Sequence, residues 1–547
     1  MLSAYNKKHN RGLRADNFLL LAGLILMFSC ATALPAEEVS TDSRSPRLAH
    51  QIDQLITQAR QQQQVQAAPR STDAEFMRRV YLDLTGKIPP VAEVRQFLAD
   101  SVPDKRERLI DRLLASPGFV VHFTSLWRNI LIPEAGTDPL ARQQVPEFEA
   151  WLRSQLQQDT SYDALVRAIV GAPFDETTRT TGQTTAAEPT ARAFYLVKQL
   201  KPESLAASTS RAFLGVRIEC AQCHDHPFDT WKQDQFWQFA AFFANIDQPQ
   251  PNSFLTPANL REVSGKPEIK IPDTNRLVEA TYLNGKQPDW KETPSRPRQR
   301  LSEWITSAQN PYFAKATANR VWSLFFGRGI VDPVDDFSST NPASHPELLE
   351  VMARAFQKHD YDLKYLIREI TNSETYQLTS RQTDPSQSRV EWYGKMPTRG
   401  LTAEQIFANL VQATGFFRQT AETDPQLIAP GMNSPQAEIQ DLFQTDSENQ
   451  LDPRATILQA LALMNGTFIT NATSLEQSDV FTAIVEFPGQ SSEQKIEAFY
   501  LSTLSRPPTE SELNRLKTYI NSSEEKTEAY ANLFWALLNS SEFLLNH

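Results

Sequence analysis

The chain has 547 residues, a formal net charge of −11 and 40% hydrophobic residues, enough for two or three domains with cores of their own. Eighteen glycines against 35 prolines favour helices separated by proline-rich turns over a strand-rich sandwich. Acidity on this scale argues against nucleic acid as the main partner.

Residues 1–33 read as an export signal. Lys7, Lys8, Arg11 and Arg14 form a basic start, and the apolar run Phe18–Phe28 is too short to span a bilayer. Small residues allow cleavage after Ala33 or after Ala36. Cys30 follows "LMFS", a loose lipoprotein box with Met27 where Leu is preferred, so lipid attachment at Cys30 is the alternative. Loss of residues 1–33 removes four basic residues and one acidic residue, leaving the mature chain at −14. The expected location is the periplasm or cell envelope, with no transmembrane helix in the mature chain.

From there the apolar spacing is helical. Ile52–Val65 predicts one helix, and residues 71–123 predict several more, with Phe76, Val80, Leu82 and Leu84, then Val94 and Leu98, then Leu109, Leu113 and Leu114 recurring at helical spacing. Pro89-Pro90 opens the second of these, with Glu93 in its first turn. Residues 145–171 predict two more helices, 174–192 an exposed Thr-rich loop, and Glu203–Leu214 a helix stopped by Gly215. After the segment 218–231 comes "DQFWQFAAFFANI", with Phe236, Phe239 and Phe243 on one face. Residues 249–298 form a proline-rich linker with a small β element around 268–271 and 277–283. Helices return to the end of the chain. "SHPELLEVMARAF" opens with a predicted capping box, Ser344 to Glu347. The last fifty residues echo 76–123: Tyr81-Leu82 matches Tyr500-Leu501, Pro89-Pro90 matches Pro507-Pro508, and "LLASPGF" matches "LLNSSEF". This is either a duplicated helical unit or two hairpins with similar turn chemistry. The expected fold is mainly α: a signal peptide at 1–33, a helical domain at 45–248, the linker at 249–298 and a second helical domain at 299–547.

The chemistry concentrates in "IECAQCHDHPFDTW", residues 218–231, which holds Cys220, Cys223, His224 and His226. CxxCH is the attachment signature of c-type haem. Positions i, i+3 and i+4 share a face of a helical turn, so two thiols can bond one porphyrin edge while the histidine turns to the iron. That assigns Cys220 and Cys223 to attachment and His224 to axial ligation. Two alternatives stay open: a CxxC disulfide, without a thioredoxin-like pattern around it, and zinc held by Cys220, Cys223, His224 and His226, where adjacent ligands crowd. His226 is then an alternative ligand, or it hydrogen-bonds beside the site. Distal candidates are His122, His345, His359, Met77, Met352, Met396, Met432 and Met464. The aromatic run Trp231, Phe236, Trp237, Phe239, Phe242 and Phe243 suits core packing better than a haem wall.

The stretch "FLGVRIECAQCHDHPFDTWKQDQFWQFAAFFANI", with "RRVYLDLTGKIPPVAEVRQFL" and "RERLIDRLLASPGF", resembles the secreted planctomycete-specific cytochrome-type domain of unknown function. The second half is similar to its usual companion domain, also of unknown function, through "NPYFAKATANRVWSLFFGRGIVDPVDDF", "SHPELLE", "ITNSETYQLTSR", "RGLTAEQIFANLV", "DPRATILQALALMNGTFI" and "LLNSSEFLLNH". The resemblance implies an exported bacterial protein with a haem site at Cys220, Cys223 and His224. Relatives often carry a further cytochrome module, whereas this sequence has one CxxCH and so at most one c-type haem. They are often encoded beside sulfatase-like secreted proteins, which implies work on sulfated polysaccharides.

The leading expectation is therefore a haem-binding electron-transfer or redox protein with an unknown redox partner. The alternative is a helical scaffold or binding module with a structural CxxCH site. A third reading places a metal-dependent hydrolase in "RGIVDPVDDFSSTNPASHPE", using Asp332, Asp335, Asp336 and His345. Against it, Asn319, Arg320 and Arg328 are expected to be buried partners of those aspartates.

Overall fold

A computed structural model describes residues 47–174, 190–247, 260–262, 267–290, 296–416, 473–475 and 477–547. The expected signal segment with Cys30, most of the Thr-rich loop, and the stretch 417–472 with Met432 and Met464 lie outside these residues. Among the described residues no helix is long and apolar enough to cross a membrane.

The fold is mainly α. The first half contributes α1 (Leu48–Gln62), α2 (Asp73–Thr85), α3 (Val91–Ala99), α4 (Lys105–Leu114), α5 (Pro117–Leu131), α6 (Val145–Gln157), α7 (Tyr162–Val170), α8 (Pro202–Thr209) and α9 (Gln233–Ala240). Local chemistry sets the ends. The Thr72 hydroxyl accepts from the Glu75 N–H at 3.2 Å to start α2, and Gly86, at φ +69°, ends it. Pro90 precedes α3, with Glu93 in its first turn as expected. The first helix begins at Leu48, four residues ahead of the predicted start.

The proline-rich segment carries short antiparallel pairs: β1 (Ile246–Asp247) with β2 (Arg261–Glu262), and β3 (Glu268–Lys270) with β4 (Leu277–Glu279), Ile269 facing Val278. The second half adds α10 (Pro297–Ile305), α11 (Phe313–Phe326), α12 (Pro346–Lys358), α13 (Leu363–Asn372), α14 (Ala403–Thr414), α15 (Asp479–Glu486), α16 (Ser492–Thr503), α17 (Glu510–Ser522) and α18 (Lys526–Leu538). Strand β5 (Arg399–Gly400) pairs with β6 (Leu545–Asn546). The capping box predicted at Ser344 does not form. α12 begins at Pro346 with His345 as an uncapped N-cap, and Ser344 instead donates its N–H and hydroxyl to the Ile330 carbonyl at 2.8 and 3.0 Å.

Two apolar cores result. The larger runs from Leu48 to Met396 and takes residues from both sides of the proline-rich segment, with Leu501 as its one member from beyond Met396 among the described residues. The smaller gathers α14 to α18, together with Leu82 and Ile88 from the first half. Helix α2 thus faces both, with Phe76, Met77 and Val80 in one and Leu82 in the other.

Candidate functional site

The cysteine segment follows an irregular helix end. Helix α8 continues into a wide turn at Ser210–Leu214, and Gly215 closes it at φ +67°. A Cβ at Gly215 would lie 2.8 Å from the Phe337 ring, so this position needs glycine for both its backbone and its space. Val216, Ile218 and Ala221 are buried, and they fix the single tight turn Glu219–Gln222 to the core. Beside these anchors Cys220 and Cys223 stand exposed as free thiols. The i, i+3 spacing therefore brings both sulfurs to the accessible side of a turn whose small residue, Ala221, faces inward.

Helix α9 holds this turn from below. Trp237 donates its indole N–H to the Gln222 carbonyl at 2.9 Å, and the Gln233 amide donates to the Cys223 carbonyl at 2.9 Å. Asp225 accepts from the Gln233 N–H at 3.1 Å and from the Lys232 ammonium at 2.9 Å, and these two hold its carboxyl below the usual range. On the other flank, Arg217 donates twice to one oxygen of Asp335, at 2.9 and 2.7 Å, and Arg211 lies 3.5 Å from the other oxygen. The Phe337 N–H donates to the Gly215 carbonyl at 2.9 Å. The cysteine turn is thus braced by the loop that follows α11. Neither Arg217 nor Asp225 was singled out from the sequence. Asp225, between two histidines, carried a legible signal; Arg217 carried none.

The histidines differ in their bonding. Nδ1 of His224 lies 2.7 Å from the Asp225 carbonyl oxygen. A carbonyl only accepts, so Nδ1 carries the proton and Nε2 keeps a lone pair for a metal. His226 accepts from the Phe228 N–H through Nδ1 at 3.2 Å, and its main-chain N–H donates to the Trp231 carbonyl at 2.8 Å. That ties His226 into the loop. Phe228 beside it is 79% exposed, an apolar ring without cover. These features fit a c-type haem: two accessible thiols, an oriented imidazole with a bare Nε2, and an apolar ring at the rim. Among the described residues no three His, Cys, Asp or Glu side chains group to hold a metal ion.

The other candidates are dispersed. Met77, Met352 and Met396 are fully buried in the larger core. His122 is tucked against Gly86, His359 stacks on Tyr365 at 3.6 Å, and His345 lies against Trp392 and Tyr393. Phe236, Phe239, Phe242 and Phe243 are core residues. In the loop after α11, Asp335 is engaged by Arg217 and Arg211, and Asp332 sits 3.7 Å from Arg328. Asn319 bonds the Val331 N–H and carbonyl and not an aspartate, and Arg320 donates to the Arg211 carbonyl at 3.0 Å. Of the three expected partners, only Arg328 pairs with one of these carboxylates.

Residues 51–248 match the family model PSCyt2, described as a protein of unknown function (DUF1549). Residues 297–520 match PSD1, described as a protein of unknown function (DUF1553). The two matches give a two-domain arrangement along the sequence. No curated protein and no solved structure matches the chain.

Proposed function

We propose that Cys220, Cys223 and His224 bind one c-type haem covalently and that the protein moves single electrons in the periplasm or cell envelope. The observation that carries this reading is the turn itself: two free, exposed thiols at CxxC spacing beside an imidazole whose Nδ1 is held by the Asp225 carbonyl. Bound there, the haem supplies one-electron chemistry. The chain's residues would do the rest. Cys220 and Cys223 would provide the thioether sulfurs, His224 a nitrogen for the iron, and the Asp225 carbonyl would fix the tautomer of that imidazole. Trp237 and Gln233 would keep the turn in place, and the exposed Phe228 would offer apolar surface nearby.

Export by the N-terminal signal, or anchoring through Cys30, would bring the chain to the compartment where such haems are attached. The link to sulfated polysaccharides rests on the resemblance alone. A second reading, zinc or a disulfide at the same turn in a helical scaffold, draws on the same free thiols.

The test is expression with the signal peptide in a host with cytochrome c maturation, followed by a pyridine haemochrome spectrum. A c-type α-band that resists acid-acetone extraction and vanishes in C220A/C223A supports the haem reading. A folded, colourless protein overturns it and turns attention to zinc content and thiol titration.

A further inference from the structure

Three nitrogens around the start of α12 are buried without a hydrogen-bond partner among the described residues: Nε2 of His345, Nη1 of Arg60 and Nε of Arg328. His345 and Arg60 are themselves 5% and 7% exposed. They arrive from three places in the fold, α1, the loop after α11 and the N-cap of α12. Trp392 and Tyr393 join them, their rings 5.3 and 5.4 Å from the imidazole. The turn Val390–Trp392 also contacts α1, which carries Arg60. Burial, and then the charges of Arg328 and Arg60, push His345 down to about 4.

Helix α12 adds to this. It is 13 residues long, no side chain caps it, and Pro346 at its first position has no N–H. Its positive end and open N–H groups follow directly on His345, the imidazole on which both guanidinium charges act. Counter-charge is thin. Asp332 lies 3.7 Å from Arg328, and Glu347 in the first turn is exposed. Asp53 and Glu374 both act on Arg60; Glu374 is exposed, and Asp53 has its oxygens engaged by the Glu374 and Thr375 N–H groups and the Thr375 hydroxyl. A buried polar group left unmet costs about 1–3 kcal/mol, more when charged. Three such nitrogens at one helix start, two of them on permanent cations, are what an anion would satisfy.

We infer that Arg60, Arg328, His345 and the N-terminus of α12 form a receptor for a small tetrahedral oxyanion, a sulfate or phosphate group. Single unmet nitrogens supplied by separate elements suit a tetrahedral group better than the planar fork with which one arginine meets a carboxylate. The bonding of Ser344 adds a proton requirement. Its hydroxyl donates to the Ile330 carbonyl at 3.0 Å, so it accepts from His345 Nδ1–H at 3.1 Å. In the neutral ring Nε2 is then an acceptor, and it meets an anion only once protonated. Anion binding therefore takes up a proton at His345 and strengthens as pH falls. The proposal uses none of the residues assigned to the cysteine turn and does not depend on the haem reading.

Isothermal titration of the full chain with sodium sulfate, and separately with inorganic phosphate, against chloride at matched ionic strength tests this. Sulfate does not titrate in this range, so it carries the pH comparison. We expect saturable one-to-one binding, at least fivefold tighter at pH 5.5 than at pH 7.5. Arg328→Gln weakens it at least tenfold, His345→Gln removes the pH dependence, and Asp332→Asn, which frees Arg328 of its carboxylate, tightens it. Absence of saturable binding at millimolar sulfate and phosphate overturns the inference. So does binding that Arg328→Gln and Asp332→Asn leave unchanged. Should Arg328→Gln not fold, Asp332→Asn decides.

Discussion

The indole N–H of Trp237 donates to the main-chain carbonyl of Gln222 at 2.9 Å, so the residue between Ala221 and Cys223 is held from the core side by helix α9. The bond fixes the turn while leaving both thiols outward. Trp237→Phe keeps the ring but removes the donor, leaving the Gln222 carbonyl only the longer bond from the Gln233 amide at 3.3 Å. The expected cost is about 1 kcal/mol in urea unfolding. Cysteine alkylation should also accelerate if the turn loosens. Unchanged thiol kinetics alongside unchanged stability would show that the bond does not hold the turn.

Acid sensitivity above pH 5 should come from histidine. His345 is pushed down to about 4, so between that value and the unfolded value of about 6.5 the unfolded chain binds more protons. The stability is full above about 6.5 and is lost as pH falls towards 4, roughly 2 kcal/mol of it by pH 5. His122, also pushed to about 4 by burial, acts in the same direction. Carboxylates such as Glu512, held at about 2 by Arg506, contribute stability that is lost only below about 4.3. Urea midpoints at pH 7 and pH 5, in sulfate- and phosphate-free buffer, should differ clearly in the wild type and less in His345→Gln. Equal differences in the two proteins would remove His345 from the account.

Arg78 joins the two cores. From α2 it donates to the Thr503 carbonyl at 2.9 Å and to the Glu542 and Phe543 carbonyls at 3.1 and 3.0 Å, and burial lowers it to about 10. Arg78→Met retains the aliphatic stem but leaves three acceptors bare. The loss should be about 3–5 kcal/mol, against less than about 0.5 for the exposed Arg95→Met on α3. Comparable effects from the two variants, read in the same urea titration, would refute the strut role.

Much of the fold was legible because its signals are local. Apolar spacing and proline turns located α2, α3, α6 and α7, and alternation around Glu268 and Leu277 located the β3–β4 pair. Long-range pairing was not legible. Arg217 bonds Asp335 across 118 positions, and Arg78 bonds carbonyls more than 400 positions away, with nothing in either neighbourhood to announce a partner. The Ser344 capping box failed for the same reason: the Ile330 carbonyl, brought close by the fold, takes the hydroxyl. The cysteine turn was found by spacing alone. Its bracing by Trp237 and Gln233 needed three dimensions, since both residues also read as ordinary members of an amphipathic helix.

The internal echo has a structural counterpart. Ser116 accepts from the Phe119 N–H at 3.2 Å and donates to the Leu113 carbonyl at 2.7 Å; Ser540 accepts from the Phe543 N–H at 3.2 Å and donates to the Leu537 carbonyl at 2.7 Å. The matched leucines cross over, Leu82 lying in the smaller core and Leu501 in the larger. Ser116→Ala and Ser540→Ala should each cost about 1 kcal/mol, and the two should add, because the caps share no partner. Leu82→Ala and Leu501→Ala should each cost about 2–5 kcal/mol and act at a distance in sequence. Amide exchange would read this directly. Leu82→Ala should lower protection in α16 and α18 more than in α4, and Leu501→Ala should do the reverse. If each deletion loosens only its own segment, the crossed leucines do not couple the two cores, and the echo reduces to similar turn chemistry.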